Sequence, residues 1–328
     1  MTDELKKLNW GIIGCGDVTE IKSGPGFQKA ERSALAAVMR RDANKAADYA
    51  RRHNVPKWYC DADELMNDDG VDAIYIATPP AFHEGYTIKA LALGKPVYVE
   101  KPMALNTASC KRMADAARHY NTKLVVAHYR RALPMFKTIK KLILSDTIGE
   151  VKTIELTMLM APDVHGIAKT EKNWRTNPEL SGGGYFHDLA PHQLDLMLHW
   201  FGMPEKANGF AINQSGLYAA DDAVVGQMLF AHNIIFSGTW CFTAAASAAK
   251  DWCQVTGSKG SIGFPFFGKE IILNQEGNET RIPFEHPQHI QQPMIEKVTA
   301  YFLGKGENPC PADEAVEVMK MMDGFTRK

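Results

Sequence analysis

Lys101, Asp188 and His192 are the residues of this chain whose types and settings suit proton handling at a carbon–oxygen bond. Lys101 ends a short apolar strand, Pro96-Val97-Tyr98-Val99, and sits between Glu100 and Pro102. A lysine at the end of a buried strand is poorly solvated, so its charge needs a partner or a ligand. Pro102 has no N–H to donate and stops the strand ladder there. Asp188 and His192 stand four apart in an apolar stretch, so a helix would place them on one face. A cation, a carboxylate and a titratable imidazole form a set for general acid–base work on a carbonyl or alcohol carbon. The plainer alternative is a surface lysine beside a turn and polar residues scattered on a helix. The surrounding elements decide between the two.

Those elements alternate over the first part of the chain. Apolar runs at Asn9–Ile13, Leu35–Met39, Trp58–Tyr59, Ala73–Ala77, Val97–Val99 and Leu124–Ala127 read as strands. Helical patterns fall near Asp42–His53, Ala62–Asn67, Ala81–Leu93 and Thr107–His119. Alternating βα units predict a parallel sheet with helices on both faces. From about residue 150 the pattern changes to a long strand, Glu150–Met160, a glycine run opening the apolar helix of Ser181–Phe201, and strand-rich sequence from Gly209 to Asn274. Within it, Ala223–Phe230 and Ile234–Phe242 form a hairpin through Ala231-His232-Asn233, and helices follow at Gln288–Leu303 and Ala312–Phe325. That order predicts an α+β domain on an antiparallel or mixed sheet. The expected division is 1–127 and 128–328, with Leu133–Ser145 as a connecting helix.

Gly11-Ile-Ile-Gly14-Cys-Gly16-Asp17-Val18-Thr19 closes the first strand, with Thr19 where a third glycine or alanine is usual. Bare glycines at Gly14 and Gly16 let a pyrophosphate approach the backbone, and Asp17 and Val18 follow at a helix start that favours negative charge. An acidic residue is expected after the second strand to hold the ribose hydroxyls of NAD. This chain has Arg40-Arg41-Asp42 instead, and arginines there would grip a 2′-phosphate, which predicts NADP over NAD. Solvated arginines with Asp42 capping the next helix are the structural alternative.

Length and composition fit this plan. The 328 residues suffice for two domains, and 45% hydrophobic with 23% charged residues is ordinary globular usage. A net charge of −1 without a basic tract argues against a nucleic-acid surface. The first residues lack an apolar signal core, and no apolar run reaches membrane-span length, so a cytoplasmic protein is expected. The six cysteines include no C-x-x-C pair, so free thiols and no metal site are expected.

The glycine turn, Ala77-Thr78-Pro79-Pro80-Ala-Phe-His83, Glu100-Lys101-Pro102, Trp174-Arg175, Ser181-Gly182-Gly183-Gly184 and Asp188-x-x-x-His192 occur here in one order. The chain thereby resembles the glucose–fructose oxidoreductase / inositol dehydrogenase / MocA-type (Gfo/Idh/MocA) family of NAD(P)-dependent oxidoreductases over nearly its whole length. The resemblance implies an N-terminal Rossmann domain, then an α+β domain whose large open, mostly antiparallel sheet keeps one face free for a homodimer or homotetramer contact. It also implies a sugar, polyol or related cyclic alcohol or carbonyl substrate. By the same resemblance Lys101 would hold the reacting oxygen, His192 would be the acid/base and Asp188 would orient substrate hydroxyls or assist the relay. Thr78, Pro79 and His83 would pass the ribose–nicotinamide, with Glu100 beside the nicotinamide. Tyr129 and Arg130 belong to a region that often forms the site wall.

His165, Trp174 and Arg175 are further candidates for the substrate side, on loops where plain packing is the alternative. His187 would point away from Asp188 on a helix, and His199 reads as a core or interface histidine. The glycine run reads as close backbone approach, Tyr98 and the Met319–Met322 cluster as core. Two other function classes share these motifs: an NAD-dependent glycosidase using transient oxidation, and a non-catalytic nucleotide sensor. Lys101, Asp188 and His192 all standing in place weigh against the sensor.

Overall fold

The computed structural model describes residues 7–162 and 173–326. In chain order the elements are β1 (Leu8–Ile13), α1 (Asp17–Ile21), α2 (Gly24–Lys29), β2 (Ser33–Met39), α3 (Ala43–Arg52), β3 (Lys57–Tyr59), α4 (Ala62–Met66), β4 (Ala73–Ile76), α5 (His83–Ala92), β5 (Val97–Val99), α6 (Thr107–His119) and β6 (Leu124–Val126). Then come α7 (Pro134–Leu144), β7 (Val151–Leu159), α8 (Pro178–Ser181), α9 (Gly184–Phe201), β8 (Lys206–Ile212), β9 (Ala223–Phe230) and β10 (Ile234–Cys241). The last are β11 (Lys250–Gly257), β12 (Gly260–Phe264), β13 (Glu270–Gln275), β14 (Asn278–Pro283), α10 (Gln292–Phe302) and α11 (Ala312–Thr326). No helix among the described residues is long and apolar enough to cross a membrane.

The chain divides into two compact units, 1–129 with 287–316, and 130–286 with 317–328. The first contains a six-stranded parallel sheet in the order β3-β2-β1-β4-β5-β6. This is the doubly wound order with its switch point between β1 and β4, where a crevice opens at the strand ends. Strands covered on both faces read as unbroken apolar runs, and β4 and β5 are buried at every position. Side-chain caps start the helices: Asp42 accepts from the Lys45 N–H, Asp61 from Asp63 and Glu64, and Asn106 from Ser109. The Ser23-Gly24-Pro25-Gly26 interruption splits the first helical stretch into α1 and α2. Gly24 faces the Thr19 carbonyl and the Tyr49 hydroxyl so closely that a Cβ has no room there.

Residues 287–316, placed by the sequence pattern with the C-terminal domain, group with the first unit. The physical reason is a set of contacts that local patterning does not encode. Phe302 packs on Trp10 with ring centroids 5.5 Å apart, Ile295 fills the space beside Gly26, and Lys123 donates to the carbonyls of Tyr301 and Phe302. Trp10, Phe27, Tyr75 and Tyr98 complete this aromatic core, and Tyr98 is core as expected.

The second unit is built on an eight-stranded sheet ordered β14-β13-β12-β11-β7-β10-β9-β8. All its pairings are antiparallel except β7 with β10. One face carries Ile154, Leu156, Met158, Phe236 and Trp240 into the core. There α9 joins them: Phe186 meets Trp240 with centroids 5.2 Å apart, and the Trp240 indole N–H donates to Gln193 at 2.6 Å. The other face holds Phe210, Ile212, Val225 and Ile235 exposed, paired across strands with Phe210 opposite Val225 and Ile212 opposite Ala223.

Candidate active site

The ends of β1, β2, β4 and β5 bring most of the expected nucleotide residues to one edge of the first sheet. Gly14 has φ +94°, and a Cβ there would lie 2.8 Å from the Thr78 methyl carbon, so the fold itself requires this glycine. Gly16 differs: its φ is −132°, and an added Cβ would meet only the Gly14 carbonyl oxygen, 3.9 Å away. Among the described residues nothing demands a glycine at that point. Thr19 turns its hydroxyl back to the Gly16 carbonyl at 2.7 Å, closing the turn where a third glycine is usual. Asp17 is exposed and Val18 half-buried in the first turn of α1. From the end of β2, Arg40 Nη1 donates to the Cys15 carbonyl at 3.1 Å, and the exposed Arg41 lies over the Phe82 ring at 5.4 Å. Asp42 caps α3.

Glu100 is a nearly buried carboxylate held from three directions. The Tyr75 hydroxyl donates to Oε1 at 2.5 Å, Gln291 Nε2 donates to the same oxygen at 2.6 Å, and the Lys101 backbone N–H donates to Oε2 at 3.1 Å. Lys101 therefore starts from a fixed backbone, and its peptide to Pro102 is cis. His83 is buried between the two loops, with Nε2 2.7 Å from the Thr78 carbonyl and Nδ1 3.0 Å from the Pro102 carbonyl. Burial lowers its pKa to about 4, so the ring is neutral near pH 7 and its single N–H donates to one of these two carbonyls at a time. His83 thus lies fully buried between these two carbonyls, on the loop that the family pattern assigns to the ribose–nicotinamide.

In the second unit α9 carries Asp188 and His192. His192 is buried, with its ring edge-on to Phe267 at 6.1 Å between centroids. Asp188 Oδ2 accepts from Arg175 Nε at 2.9 Å, and that guanidinium stacks 4.5 Å over Trp174. Trp174 and Arg175 are thereby gathered around Asp188. Arg130 is buried, donating to the Phe266 carbonyl at 2.6 Å and lying 4.3 Å over the Phe267 ring. Tyr129 is buried as the last residue of the first unit's N-terminal segment. His165 lies outside the described residues. The glycine run has an internal explanation: Gly182 and Gly184 take positive φ, Gly183 leaves room for the buried His187 ring, and Ser181 Oγ accepts from the N–H groups of Gly183 and Gly184. His187 is packing, as expected. His199 is held beside Lys140 at 3.1 Å with its pKa lowered to about 4, chiefly by burial.

Residues 8–128 match the oxidoreductase family with NAD-binding Rossmann fold, and residues 136–263 match the GFO/IDH/MocA C-terminal domain. An oxidoreductase of Formosa agariphila is 46% identical over 97% of this chain and 98% of its own length. The chain belongs to the Gfo/Idh/MocA oxidoreductase family. A more distant relative, trans-1,2-dihydrobenzene-1,2-diol dehydrogenase of Mus musculus, is 28% identical over 83% of this chain and 79% of its own length. Among solved structures, aldose-aldose oxidoreductase from Caulobacter crescentus, complexed with glycerol, shares the fold with a TM-score of 0.86 at 22% identity, covering 98% of this chain and 97% of that one.

The first unit of this Gfo/Idh/MocA member fits a dinucleotide on two internal observations. Gly16 leaves open space where a side chain would stand. Thr78 Oγ1, on the adjacent loop, is buried with no hydrogen-bond partner among the described residues. An orphaned hydroxyl at a strand end is costly unless something supplies the bond. Sequence reasoning missed Tyr75 and Gln291 as the holders of Glu100, Phe267 as the ring against His192, and Asp251 as the acceptor that holds the Phe267 N–H. For Phe267 the only signal was an aromatic run, Phe264-Pro265-Phe266-Phe267, ending at Gly268.

Proposed function

We propose that this chain is an NADP-preferring oxidoreductase that moves a hydride between nicotinamide and a sugar, polyol or related cyclic alcohol or carbonyl compound. The cofactor preference rests on one observation: Arg40 and Arg41 stand at the end of β2, while the carboxylate beside them, Asp42, is spent capping α3. A 2′-phosphate matches two guanidinium groups, whereas ribose hydroxyls want the missing free acid. Gly14, Gly16, Asp17, Val18, Thr78 and Pro79 would line the rest of the dinucleotide, with Thr78 Oγ1 donating to it.

When bound, the nicotinamide supplies and accepts the hydride. Lys101, on the backbone fixed by Glu100, holds the reacting oxygen and stabilises negative charge growing there. His192 exchanges the proton of that oxygen, a task suited to an imidazole, whose ordinary pKa lies near neutral. Asp188, tied to Arg175, orients neighbouring hydroxyls. The relative named as a dihydrodiol dehydrogenase supports a cyclic alcohol as one substrate class. A panel of sugars, polyols and cyclic ketones, assayed separately with NADP(H) and NAD(H), tests the reading. Turnover should fall about 100-fold or more in Lys101→Ala and in His192→Ala, the loss typical of a removed oxyanion donor or proton-transfer group. Full activity in either variant would refute its assigned role.

The exposed face of the second sheet supports a homo-oligomer. Phe210 on β8 and Ile235 on β10, 67% and 54% exposed, lie on the same face of the sheet with the exposed Val225 of β9 on the strand between them, and such patches usually find a partner. Sedimentation of Phe210→Glu/Ile235→Lys should show monomer where the wild type shows dimer or tetramer.

A further inference from the structure

The loop Pro265–Lys269 between β12 and β13 displays one aromatic ring in the open. Phe267 is 44% exposed, while its neighbours Phe264 and Phe266 are fully buried. The loop backbone is held firmly. Both Asp251 carboxylate oxygens accept N–H groups, from Phe266 at 3.0 Å and from Phe267 at 2.7 Å. The buried Arg130 donates to the Phe266 carbonyl at 2.6 Å, and His286 Nε2 contacts the Gly268 carbonyl at 2.8 Å. The Phe267 ring itself is fixed: the Arg130 guanidinium lies 4.3 Å over it and occupies one face. The His192 imidazole stands edge-on at 6.1 Å and 79°. An exposed phenyl adds little to a core, so the ordering of this ring beside His192 calls for a use.

We propose that Phe267 is a specificity-determining residue whose free face and rim receive the C–H face of a saturated six-membered ring, of the pyranose type, with the reacting carbinol turned toward His192. The proposal rests on the reading of His192 as the proton-exchanging group. Such a ring has a polar rim of hydroxyls and a flat array of C–H bonds made electron-poor by neighbouring oxygens. That array is attracted to the negative centre of an aromatic face. An open-chain polyol has no rigid C–H face and must be ordered on binding, so it gains less from the same platform.

The test compares D-glucose, D-xylose and cyclohexanediol with sorbitol, xylitol and hexanediol, matched in carbon number, on the wild type, Phe267→Ala, Phe267→Trp and His192→Ala. The wild type should prefer the ring compounds. Phe267→Ala should raise KM for them about 10-fold or more, the scale of a lost apolar pocket contact, with kcat little changed and KM for the open chains nearly constant. Phe267→Trp should restore ring KM, because an aromatic face is what the proposal requires. Far-UV circular dichroism and thermal melting confirm that each variant folds. A wild-type preference for open chains, or an equal effect of Phe267→Ala on both classes, overturns the proposal. So does a loss that goes with altered sedimentation, which would make the ring an assembly contact. Full turnover in His192→Ala strikes the underlying reading instead, and no turnover of any compound by the wild type removes both.

Discussion

The Tyr75 hydroxyl on β4 donates at 2.5 Å to Oε1 of Glu100, the residue that follows the neighbouring strand β5. Burial pushes the Tyr75 phenol well above its usual pKa, so the proton stays on the tyrosine and the bond runs from a neutral donor to the carboxylate. Glu100 in turn accepts from the Lys101 N–H. Tyr75→Phe keeps the ring in the aromatic core and removes only this donor. Urea unfolding should show a loss of about 1.5–3 kcal/mol, the usual worth of a hydrogen bond to a charged group.

Arg41 is the exposed member of the arginine pair and makes no hydrogen bond to the glycine turn like that of Arg40. Arg41→Ala should therefore leave the fold intact. It should lower kcat/KM for NADP about 10- to 100-fold while moving the value for NAD less than about threefold, as expected for a charge-assisted bond to phosphate. Equal losses with both cofactors would count against a 2′-phosphate contact.

Arg131 and Asp195 form a buried, two-pronged pair in the second unit, with Nη2–Oδ1 at 2.6 Å and Nε–Oδ2 at 2.9 Å. Removing one partner strands the other charge in the core. Arg131→Ala should cost about 3–5 kcal/mol in chemical unfolding, and Arg131→Met with Asp195→Leu should recover much of that loss.

His199 is held neutral chiefly by burial, then by the positive charges of Arg131 and Lys140, against the opposing pull of Asp195. Its folded pKa, about 4, lies below the ordinary histidine value of 6.5. Between these values the unfolded chain binds a proton that the folded chain refuses, so this group's share of stability is complete above about pH 6.5 and is lost as pH falls toward about 4. His199→Gln should flatten the fall of unfolding free energy in that window by up to one proton, about 1.4 kcal/mol per pH unit. An unchanged slope would show that His199 is protonated in the fold.

Much of the nucleotide edge was legible because it is local. Val97–Val99 and Thr107–His119 have the bounds read from the sequence, since a doubly covered strand is an apolar run and a helix begins at a capping residue. Gly14 and Gly16 announced the turn, and Asp188 and His192 announced a shared helix face. Pairing between distant segments left no such trace. The insertion of β7 between β10 and β11 depends on which edges meet, as does the hold of Gln291 on Glu100. The glycine run at Gly182–Gly184 announced a close approach without saying to what: the structure uses it to seat His187 and to turn the chain.

The return of residues 287–316 to the first unit sets an order of events during synthesis. Ribosomes deliver the N-terminal segment first, and domains made early generally fold early. Here the early segment emerges without Phe302 for Trp10 and without Gln291 for Glu100. The nucleotide edge is begun first and finished late, after the whole eight-stranded sheet has left the ribosome. A fragment ending at residue 129 should accordingly expose its aromatic core and aggregate, while the same fragment supplied with residues 287–316 in trans or by a short linker should be rescued.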